Sequence, residues 1–152
     1  MTPADAPRVH PIETRVYYGD TDQMGVVYYA NYLRWFEMAR NEYMRAVGYP
    51  HVRFEKEGLL LPVIETACRY LRPARYDDLV RIEAWIPERS RVRLRFHYRV
   101  VRAPDGEVLA EGHTVHVCLI PDGTPRRFPV LLLECLERFE AARPGGGVGA
   151  GA

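Results

Sequence analysis

Apolar side chains recur every three or four positions between residues 26 and 47. This spacing predicts an amphipathic helix that buries one face. The apolar positions of that face are Tyr32, Trp35, Phe36, Ala39, Tyr43 and Val47. Gly48 and Pro50 predict the end of the helix, because glycine favours a left-handed cap and proline cannot continue a helix. The start is open: Asn31 can cap the helix, and a first turn a few residues earlier fits equally well.

Five further segments alternate between apolar and polar residues, or are rich in β-branched and aromatic residues, as strands are. They span residues 14–18, 60–71, 79–88, 91–102 and 108–120, and the fourth alternates most regularly. The links at residues 87–90 and 103–106 are short, which predicts antiparallel neighbours. A second, shorter helix is predicted to begin at Pro129, with an apolar stripe formed by Leu132, Leu133, Leu136 and Phe139.

The predicted order of elements is β-α-β-β-β-β-α. It belongs to the α+β class, in which a helix covers one face of a five-stranded antiparallel sheet. A chain of 152 residues fits one domain, predicted over residues 1–143. Residues 144–152 are rich in glycine and alanine and predict a disordered tail. So small a sheet has long edge strands, and the need to protect them favours a homodimer.

Composition narrows the class of protein. Apolar residues make up 47% of the chain and charged residues 27%, as in ordinary globular domains. The formal net charge of +1 provides no global field to attract nucleic acid, and no apolar run approaches the ~18 residues that membrane insertion needs. The first residues lack the hydrophobic stretch of a secretory signal, and the three cysteines form no C-x-x-C pair. We therefore expect a cytoplasmic protein.

Two carboxylates, Asp20 and Asp22, lie in the loop between the first strand and the long helix. The start of a helix offers unpaired backbone N–H groups and a partial positive charge, which can polarise a carbonyl oxygen. A carboxylate beside that carbonyl can attack it or activate water. Spacing alone leaves three other interpretations open. The aspartates can be turn residues, or they can begin a calcium loop, although Met24 and Asn31 stand where that loop needs ligands. The tyrosines around the loop, such as Tyr17 and Tyr32, can be ordinary core residues.

Residues 20–32, with the sequence DTDQMGVVYYANY, resemble the signature of the 4-hydroxybenzoyl-CoA thioesterase branch of the hotdog superfamily. That branch includes the Tol-Pal-associated acyl-CoA thioesterases. The similarity continues through residues 35–45 and the strand order to about Phe139. The resemblance implies a hotdog fold, in which the sheet wraps around one long central helix. It also implies dimers with a continuous ten-stranded sheet and active sites at the dimer interface, and we expect these dimers to form a homotetramer.

The resemblance implies roles for individual residues. Asp22 matches the catalytic carboxylate of the family, which acts as a nucleophile or a general base. Tyr29 matches the residue whose backbone N–H binds the thioester carbonyl, and Val27 and Tyr28 share this helix start. Tyr18 matches an aromatic position that lines the site. Tol-Pal-associated members usually carry a histidine at the position of Tyr29, so the resemblance supports the backbone role and not a histidine-assisted mechanism.

Arginine side chains near two turns are candidates for binding the phosphates of CoA, because guanidinium groups match phosphate oxygens in geometry and charge. The alternative for each of them is a solvated strand face. These candidates are Arg89, Arg91, Arg93, Arg126 and Arg127.

The pair His113 and His116 has a spacing that suggests a metal site. On a strand, however, a separation of three residues places the two rings on opposite faces. No metal site is therefore expected, and no serine or cysteine lies in a nucleophile elbow.

The sequence thus predicts a homo-oligomeric acyl-CoA thioesterase without a metal or redox cofactor, since CoA is part of the substrate. Three alternatives remain: a thioesterase for acyl carrier protein, a non-catalytic acyl-CoA binding module on the same fold, and a hotdog dehydratase. The dehydratase lacks its expected histidine signature. The acyl group stays open.

Overall fold

An antiparallel sheet of five strands forms the frame of the protein. The structure is a computed structural model that describes residues 7–142, so the predicted tail at residues 144–152 lies outside the described residues. The order of strands across the sheet is β1-β3-β4-β5-β2. These strands are β1 (His10–Arg15), β2 (Val63–Tyr70), β3 (Leu79–Arg89), β4 (Leu94–Arg102) and β5 (Val108–His116). Two short strands, β6 (Cys118–Leu119) and β7 (Pro125–Arg126), form a separate pair.

Within the described residues the sheet is accompanied by three α-helices, α1 (Asn31–Val47), α2 (His51–Lys56) and α3 (Val130–Ala141). The long helix α1 lies against the inner face of the sheet, and its buried side chains share one core with the strands. The predicted α+β class is confirmed, and so is the hotdog fold with its long helix and short C-terminal helix. No helix between residues 7 and 142 is both long enough and apolar enough to cross a bilayer.

Aromatic stacking packs α1 directly against the sheet. The rings of Phe36 on α1 and Tyr98 on β4 are nearly parallel, with centroids 4.4 Å apart. A Cβ atom at Gly112 of β5 would lie 2.5 Å from the Phe36 ring and 2.5 Å from the carbonyl oxygen of Ala67 on β2. Both distances are far shorter than a van der Waals contact between such atoms. Only glycine therefore fits beneath the helix at this point.

Four strands differ from the prediction at their boundaries. β2 and β4 begin at Val63 and Leu94, each three residues later than predicted. β1 spans His10–Arg15 instead of residues 14–18, and it forms one edge of the sheet, where a proline such as Pro11 is tolerated. The predicted strand at residues 108–120 is divided, because β5 ends at His116 and β6 belongs to the separate pair. Apolar composition continues across this break, so the sequence pattern does not reveal it.

The helix boundaries agree only in part with the capping residues that the sequence predicts. Ala30 is the N-cap of α1, and the Asn31 side chain does not cap the helix but donates to the Asp20 carbonyl oxygen at 2.8 Å. Gly48 ends α1 in the left-handed conformation, as predicted. The short helix α2 is absent from the sequence prediction. It begins directly after Pro50, which serves as its N-cap.

Strand β2 forms an open edge of the sheet. It pairs with β5 on one side, and within the described residues no strand covers its other side. Val63 and Ile64 at its start are 45% and 49% exposed, and Tyr70 at its end is 47% exposed. An edge strand with exposed apolar side chains and without proline or lysine is suited to pairing with another strand.

A polar network is buried between α1 and the sheet. His116 is fully buried, and its Nε2 lies 2.8 Å from Thr114 Oγ1, which in turn lies 2.7 Å from the Tyr98 hydroxyl. Arg40 of α1 donates to that hydroxyl at 3.1 Å. Burial, followed by the charge of Arg40, lowers the pKa of His116 from 6.5 to about 4. His116 is therefore neutral in the folded protein at pH 7.

The stability of the protein should fall on the acid side of neutrality because of His116. In the unfolded chain this ring takes up a proton near pH 6.5, whereas in the folded protein it stays neutral down to about pH 4. Its contribution to the free energy of unfolding is complete above pH 6.5. It decreases by on the order of 3 kcal/mol as the pH falls towards 4.

Urea unfolding at a series of pH values measures this effect. His116→Gln should make the profile flatter between pH 6.5 and 4, whatever its effect on stability at pH 7. His51→Gln, a change at an exposed histidine whose charge is the smallest of the causes that lower the pKa of His116, should alter the slope much less. An equally steep profile for His116→Gln would assign the acid sensitivity to other groups.

Candidate active site

Asp20 closes the loop that leads into α1. Its carboxylate Oδ2 accepts the Tyr17 N–H at 2.8 Å, within the 3-10 turn Tyr18–Asp20. Its carbonyl oxygen accepts both the Tyr28 N–H and the Asn31 side-chain amide at 2.8 Å. Both polar groups of Asp20 therefore hold backbone in place, and Asp20 has a structural role.

Asp22 lies in a tight loop that closes at Val26. The Asp22 N–H donates to the Val26 carbonyl oxygen at 2.9 Å, and the Gly25 N–H donates to the Asp22 carbonyl oxygen at 3.0 Å. Gly25 has a φ of 75°, a left-handed conformation that glycine adopts without steric cost. The carboxylate Oδ1 accepts the Met24 N–H at 2.9 Å, whereas Oδ2 has no hydrogen-bond partner among the described residues. The loop thus orients the carboxylate and leaves one oxygen free.

Two backbone amides at the start of α1 are free as well. The Tyr28 N–H is bonded to Asp20, and the Asn31 N–H donates to the Tyr28 carbonyl oxygen at 2.9 Å. Between them, the N–H groups of Tyr29 and Ala30 have no acceptor in the part of the chain that the structure describes. They lie at the positive end of the helix dipole. Such amides can bind an oxygen atom that carries partial or full negative charge.

A cavity of about 300 Å³ opens beside Asp22. Its walls come from the loop, the start of α1 and the end of β2, and most of them are apolar or aromatic. The lining residues are Asp22, Met24, Val26, Val27, Tyr29, Tyr32, Tyr70, Leu71, Arg72 and Pro73. The adjoining Tyr29 hydroxyl raises the pKa of Tyr28, and the negative charge of Asp22 adds a smaller increase. A carboxylate beside free amides in an apolar cleft has the components needed for acyl transfer.

The structure brings part of the predicted site together. Three predicted residues line the cavity: Asp22, Val27 and Tyr29. The exposed Tyr28 ring lies against Tyr29 with centroids 4.7 Å apart, outside the cavity lining. Tyr18 is 74% exposed and stacks on Tyr76 at 3.9 Å, also outside it. Substrate contacts of Tyr18 and Tyr28 therefore stay predictions, since neither residue reaches the cavity within one chain.

The predicted CoA-binding arginines lie near the other end of the sheet. Tyr70, beside the cavity, is opposite Ala110 near the start of β5. Leu94, which follows the turn between β3 and β4, is opposite His116 at the end of β5. Ala110 and His116 are six residues apart along β5, so roughly 20 Å separate these two ends. A single chain thus does not bring the arginines to the Asp22 cavity.

These arginines border cavities of their own. Arg89 forms an ion pair of 2.8 Å with a glutamate of α3 and lines a cavity of about 220 Å³. Arg126 and Arg127 are exposed and line another of about 300 Å³. Arg93 lines both cavities, and the exposed Arg91 lines neither. The basic end of the sheet therefore offers Arg93, Arg126 and Arg127 to an anionic ligand.

His113 and His116 lie on opposite faces of β5, as their spacing predicts. His113 faces outward, where its Nε2 lies 2.8 Å from Glu65 Oε2, whereas His116 is buried against Thr114. Among residues 7–142, no group of three or more His, Cys, Asp or Glu side chains could hold a metal ion.

The far wall of the Asp22 cavity comes from residues that the sequence pattern did not identify. Tyr70 ends β2, and its hydroxyl donates to the Tyr29 carbonyl oxygen at 2.9 Å. Leu71, Arg72 and Pro73 continue the wall. Tyr70 lies 41 positions beyond Tyr29, so no local motif connects the two. The available signal was an aromatic residue at the end of a strand, next to a proline-containing turn.

Comparison with known proteins identifies relatives that span most of the chain. The family model of the thioesterase-like superfamily matches residues 16–134. The acyl-CoA thioester hydrolase YbgC of Escherichia coli is 35% identical over 116 residues, which cover 76% of this chain and 86% of the relative.

Two solved structures are similar in fold and sequence. The DHNA-CoA thioesterase of Staphylococcus aureus has a TM-score of 0.82 and 29% identity, covering 88% of this chain and 91% of that chain. The second is a 4-hydroxybenzoyl-CoA thioesterase in which asparagine replaces an aspartate, in complex with 4-hydroxybenzoyl-CoA. Its TM-score is 0.78 at 26% identity, and the match covers 85% of this chain and 99% of that chain.

Proposed function

The chain belongs to the thioesterase-like superfamily, and from this membership we propose that it hydrolyses acyl-CoA thioesters, with Asp22 as the catalytic carboxylate. One observation carries the proposal: the residues with the free carboxylate oxygen and the free Tyr29 amide line the same cavity. The relatives support the reaction class, since YbgC and the Staphylococcus aureus enzyme are named for CoA thioesters. The substrate-bound relative with a replaced aspartate supports a carboxylate as the reacting group.

In the proposed reaction, the thioester carbonyl oxygen accepts the Tyr29 N–H, which stabilises negative charge as it develops. By one route, an Asp22 oxygen attacks the carbonyl carbon, the C–S bond breaks, and the CoA thiolate leaves and takes a proton from water. Water then hydrolyses the mixed anhydride and regenerates the carboxylate. By the other route, Asp22 accepts a proton from an attacking water and returns it to the departing thiolate. Both routes consume only water, so the proposal includes no metal or redox cofactor.

Release of free thiol from a panel of acyl-CoA esters tests this function. The panel should include short-chain, medium-chain and aromatic acyl groups, because the cavity lining is both aliphatic and aromatic. Hydrolysis of at least one ester well above the rate without protein is the expected result. Tight CoA binding without hydrolysis would favour the non-catalytic binding module. Cleavage of acyl carrier protein esters alone would favour the carrier-protein thioesterase.

The proposal includes a homodimer formed along β2, which can assemble further to a homotetramer. Antiparallel pairing of the open β2 edges of two copies about a two-fold axis would extend the sheet to ten strands. The Val63 end of β2 in one copy would then lie beside the Tyr70 end in the other. This arrangement would carry the arginine-bearing end of one copy to the Asp22 cavity of the other. The free cysteines suit the expected cytoplasmic location, where thiols stay reduced.

Arg126→Ala combined with Arg127→Ala should raise the KM for an acyl-CoA ester by about tenfold, because charge-assisted bonds to phosphate are lost. The kcat should change little, since neither arginine takes part in the chemical step. The matching acyl-N-acetylcysteamine thioester, which lacks the phosphates, should show no such increase. Arg45→Ala, at an exposed arginine of α1 paired with Glu42, controls for the loss of positive charge in general. An equal rise in KM for both thioesters would contradict phosphate binding.

Mixed dimers test whether the site is shared between subunits. Subunits with Asp22→Asn and subunits with the double arginine change should recover activity at low substrate when they exchange. Each mixed dimer then contains one site with both Asp22 and the two arginines. Activity equal to the sum of the two separate variants would indicate that each site lies within one chain.

A further inference from the structure

The Tyr70 hydroxyl connects the end of β2 to the start of α1, through a hydrogen bond of 2.9 Å to the Tyr29 carbonyl oxygen. We propose that Tyr70 is a positioning residue for hydrolysis: it holds the peptide of Tyr29 so that the free amides at the helix start face the thioester carbonyl. This inference rests on the proposed function and adds a role for the edge strand within it.

The helix start is held from two sides. On the side of the first loop, the Tyr28 N–H and the Asn31 side chain both bond to the Asp20 carbonyl oxygen. On the side of β2 and the segment that follows it, the Val27 N–H donates to the Ala74 carbonyl oxygen at 2.8 Å, and the Tyr70 hydroxyl bonds to Tyr29. Among the described residues, the Tyr29–Ala30 peptide has one other partner, the Tyr32 N–H in the first turn of α1, at 3.4 Å from the Tyr29 carbonyl oxygen. The loss of the Tyr70 hydroxyl would therefore leave this peptide held only from within the helix.

The Tyr70 ring is itself fixed by its neighbours. It meets the Tyr32 ring edge-on, with centroids 5.1 Å apart, and the Tyr29 ring at 6.5 Å. Tyr32 in turn meets Trp35 at 5.0 Å, inside the core. Burial, and next the neighbouring Cys68, raise the pKa of Tyr70 above its usual value of 10. The hydroxyl thus stays protonated, as a hydrogen-bond donor must, and its position is set by packing.

A bond to the Tyr29 carbonyl oxygen acts on the amides because a peptide group is planar. The Tyr29 carbonyl and the Ala30 N–H belong to one plane, so holding one end orients the other. The Tyr29 N–H belongs to the preceding peptide plane, and the same bond limits the rotation of one plane relative to the other. A hydrogen bond accepted by the carbonyl also polarises the peptide and makes its N–H a stronger donor. Amides that bind a developing oxyanion need such fixed orientation, because reorientation during the reaction costs free energy.

Tyr70→Phe should lower kcat by about tenfold and leave KM within about twofold, because it removes one hydrogen bond and keeps the ring. Tyr76→Phe is the matched control: it also removes one hydroxyl from a half-exposed tyrosine, but that ring stacks on Tyr18 outside the cavity lining. The control should keep wild-type kinetics. A kcat of Tyr70→Phe within twofold of wild type would overturn the inference.

A vibrational measurement separates positioning from a general loss of structure. In an Asp22→Asn background, a bound acyl-CoA ester labelled at its carbonyl carbon should show a lowered C=O stretching frequency. Tyr70→Phe in that background should return the frequency towards its value in solution, and Tyr76→Phe should not. An unchanged frequency would mean that Tyr70 does not act on the amides.

The inference also has a readout that does not depend on turnover. If the wild-type protein hydrolyses no ester, the proposed function fails. Order parameters from ¹⁵N relaxation of the Tyr29 and Ala30 amides still show whether the Tyr70 hydroxyl holds the helix start, which we call the anchor. These order parameters should fall in Tyr70→Phe and stay unchanged in Tyr76→Phe. Equal order parameters in wild type and Tyr70→Phe would overturn the anchor itself.

Discussion

Replacement of Asp22 by asparagine should lower kcat by on the order of 10²-fold or more while the protein stays folded. Asparagine has nearly the same shape as aspartate, and its carbonyl oxygen can still accept the Met24 N–H that orients this side chain. The amide cannot attack a thioester as a carboxylate does, nor can it accept a proton from water. The chemical step is therefore lost, whereas the loop and the cavity are retained. Single-turnover release of free thiol, measured beside thermal unfolding, records both effects.

Asp20→Asn is the matched control for this experiment. It removes a carboxylate two positions away in the same loop, where Oδ2 accepts the Tyr17 N–H. The Asp20 carbonyl that holds Tyr28 and Asn31 belongs to the backbone and is unaffected. We expect a small loss of stability and a kcat within a few-fold of wild type. Near-normal turnover by folded Asp22→Asn, or an equal loss in both variants, would remove Asp22 from the catalytic role.

Gly112→Ala should destabilise the fold by on the order of 3 kcal/mol or more, because the new methyl group has nowhere to go. One atom in its way is the Ala67 carbonyl oxygen, part of the β2 backbone, and the other is the ring of Phe36, which is stacked on Tyr98. Relief would require α1 to move away from the sheet or β2 to separate from β5. Either movement exposes buried aromatic surface or breaks the strand pairing.

Urea unfolding at pH 7 measures this change, and Gly19→Ala provides the comparison. A Cβ atom at Gly19 meets nothing within 4 Å, so its substitution should cost less than about 0.5 kcal/mol. A Gly112→Ala protein within about 1 kcal/mol of wild type would mean that the helix sits less tightly on the sheet than the distances indicate.

The sequence predicted the main elements because periodicity records burial directly. The alternation through residues 91–102 locates β4, which begins three residues later at Leu94. The helical spacing through residues 26–47 locates α1, which begins at Asn31. The errors lie where the local pattern is neutral. β1 includes Pro11, and proline argues against a strand except at the edge of a sheet. The sequence does not show that β1 is an edge strand. The short α2 has too few residues for a period to appear.

The site could be predicted only where it is local. The loop with Asp20 and Asp22 and the helix start around Tyr29 are contiguous, so the resemblance identified them together. Spacing did not distinguish the roles of the two aspartates, whereas their hydrogen bonds do. The polar groups of Asp20 hold the backbone and the Asn31 side chain, and Asp22 keeps one carboxylate oxygen free. The predicted arginines are also grouped by local turns, and the sheet places that group far from Asp22.

By itself, the sequence determined the class of the fold, the buried face of α1 and the segment that carries Asp22, because each depends on residues close together in the chain. Tertiary structure alone decided that Tyr70 contacts Tyr29, that position 112 has no room for a side chain, and that Asp22 and the arginines lie at opposite ends of the sheet. These facts depend on the register between strands far apart in sequence. A shift of one residue would turn every side chain of a strand to the other face, and no local pattern sets the pairing of β2 with β5.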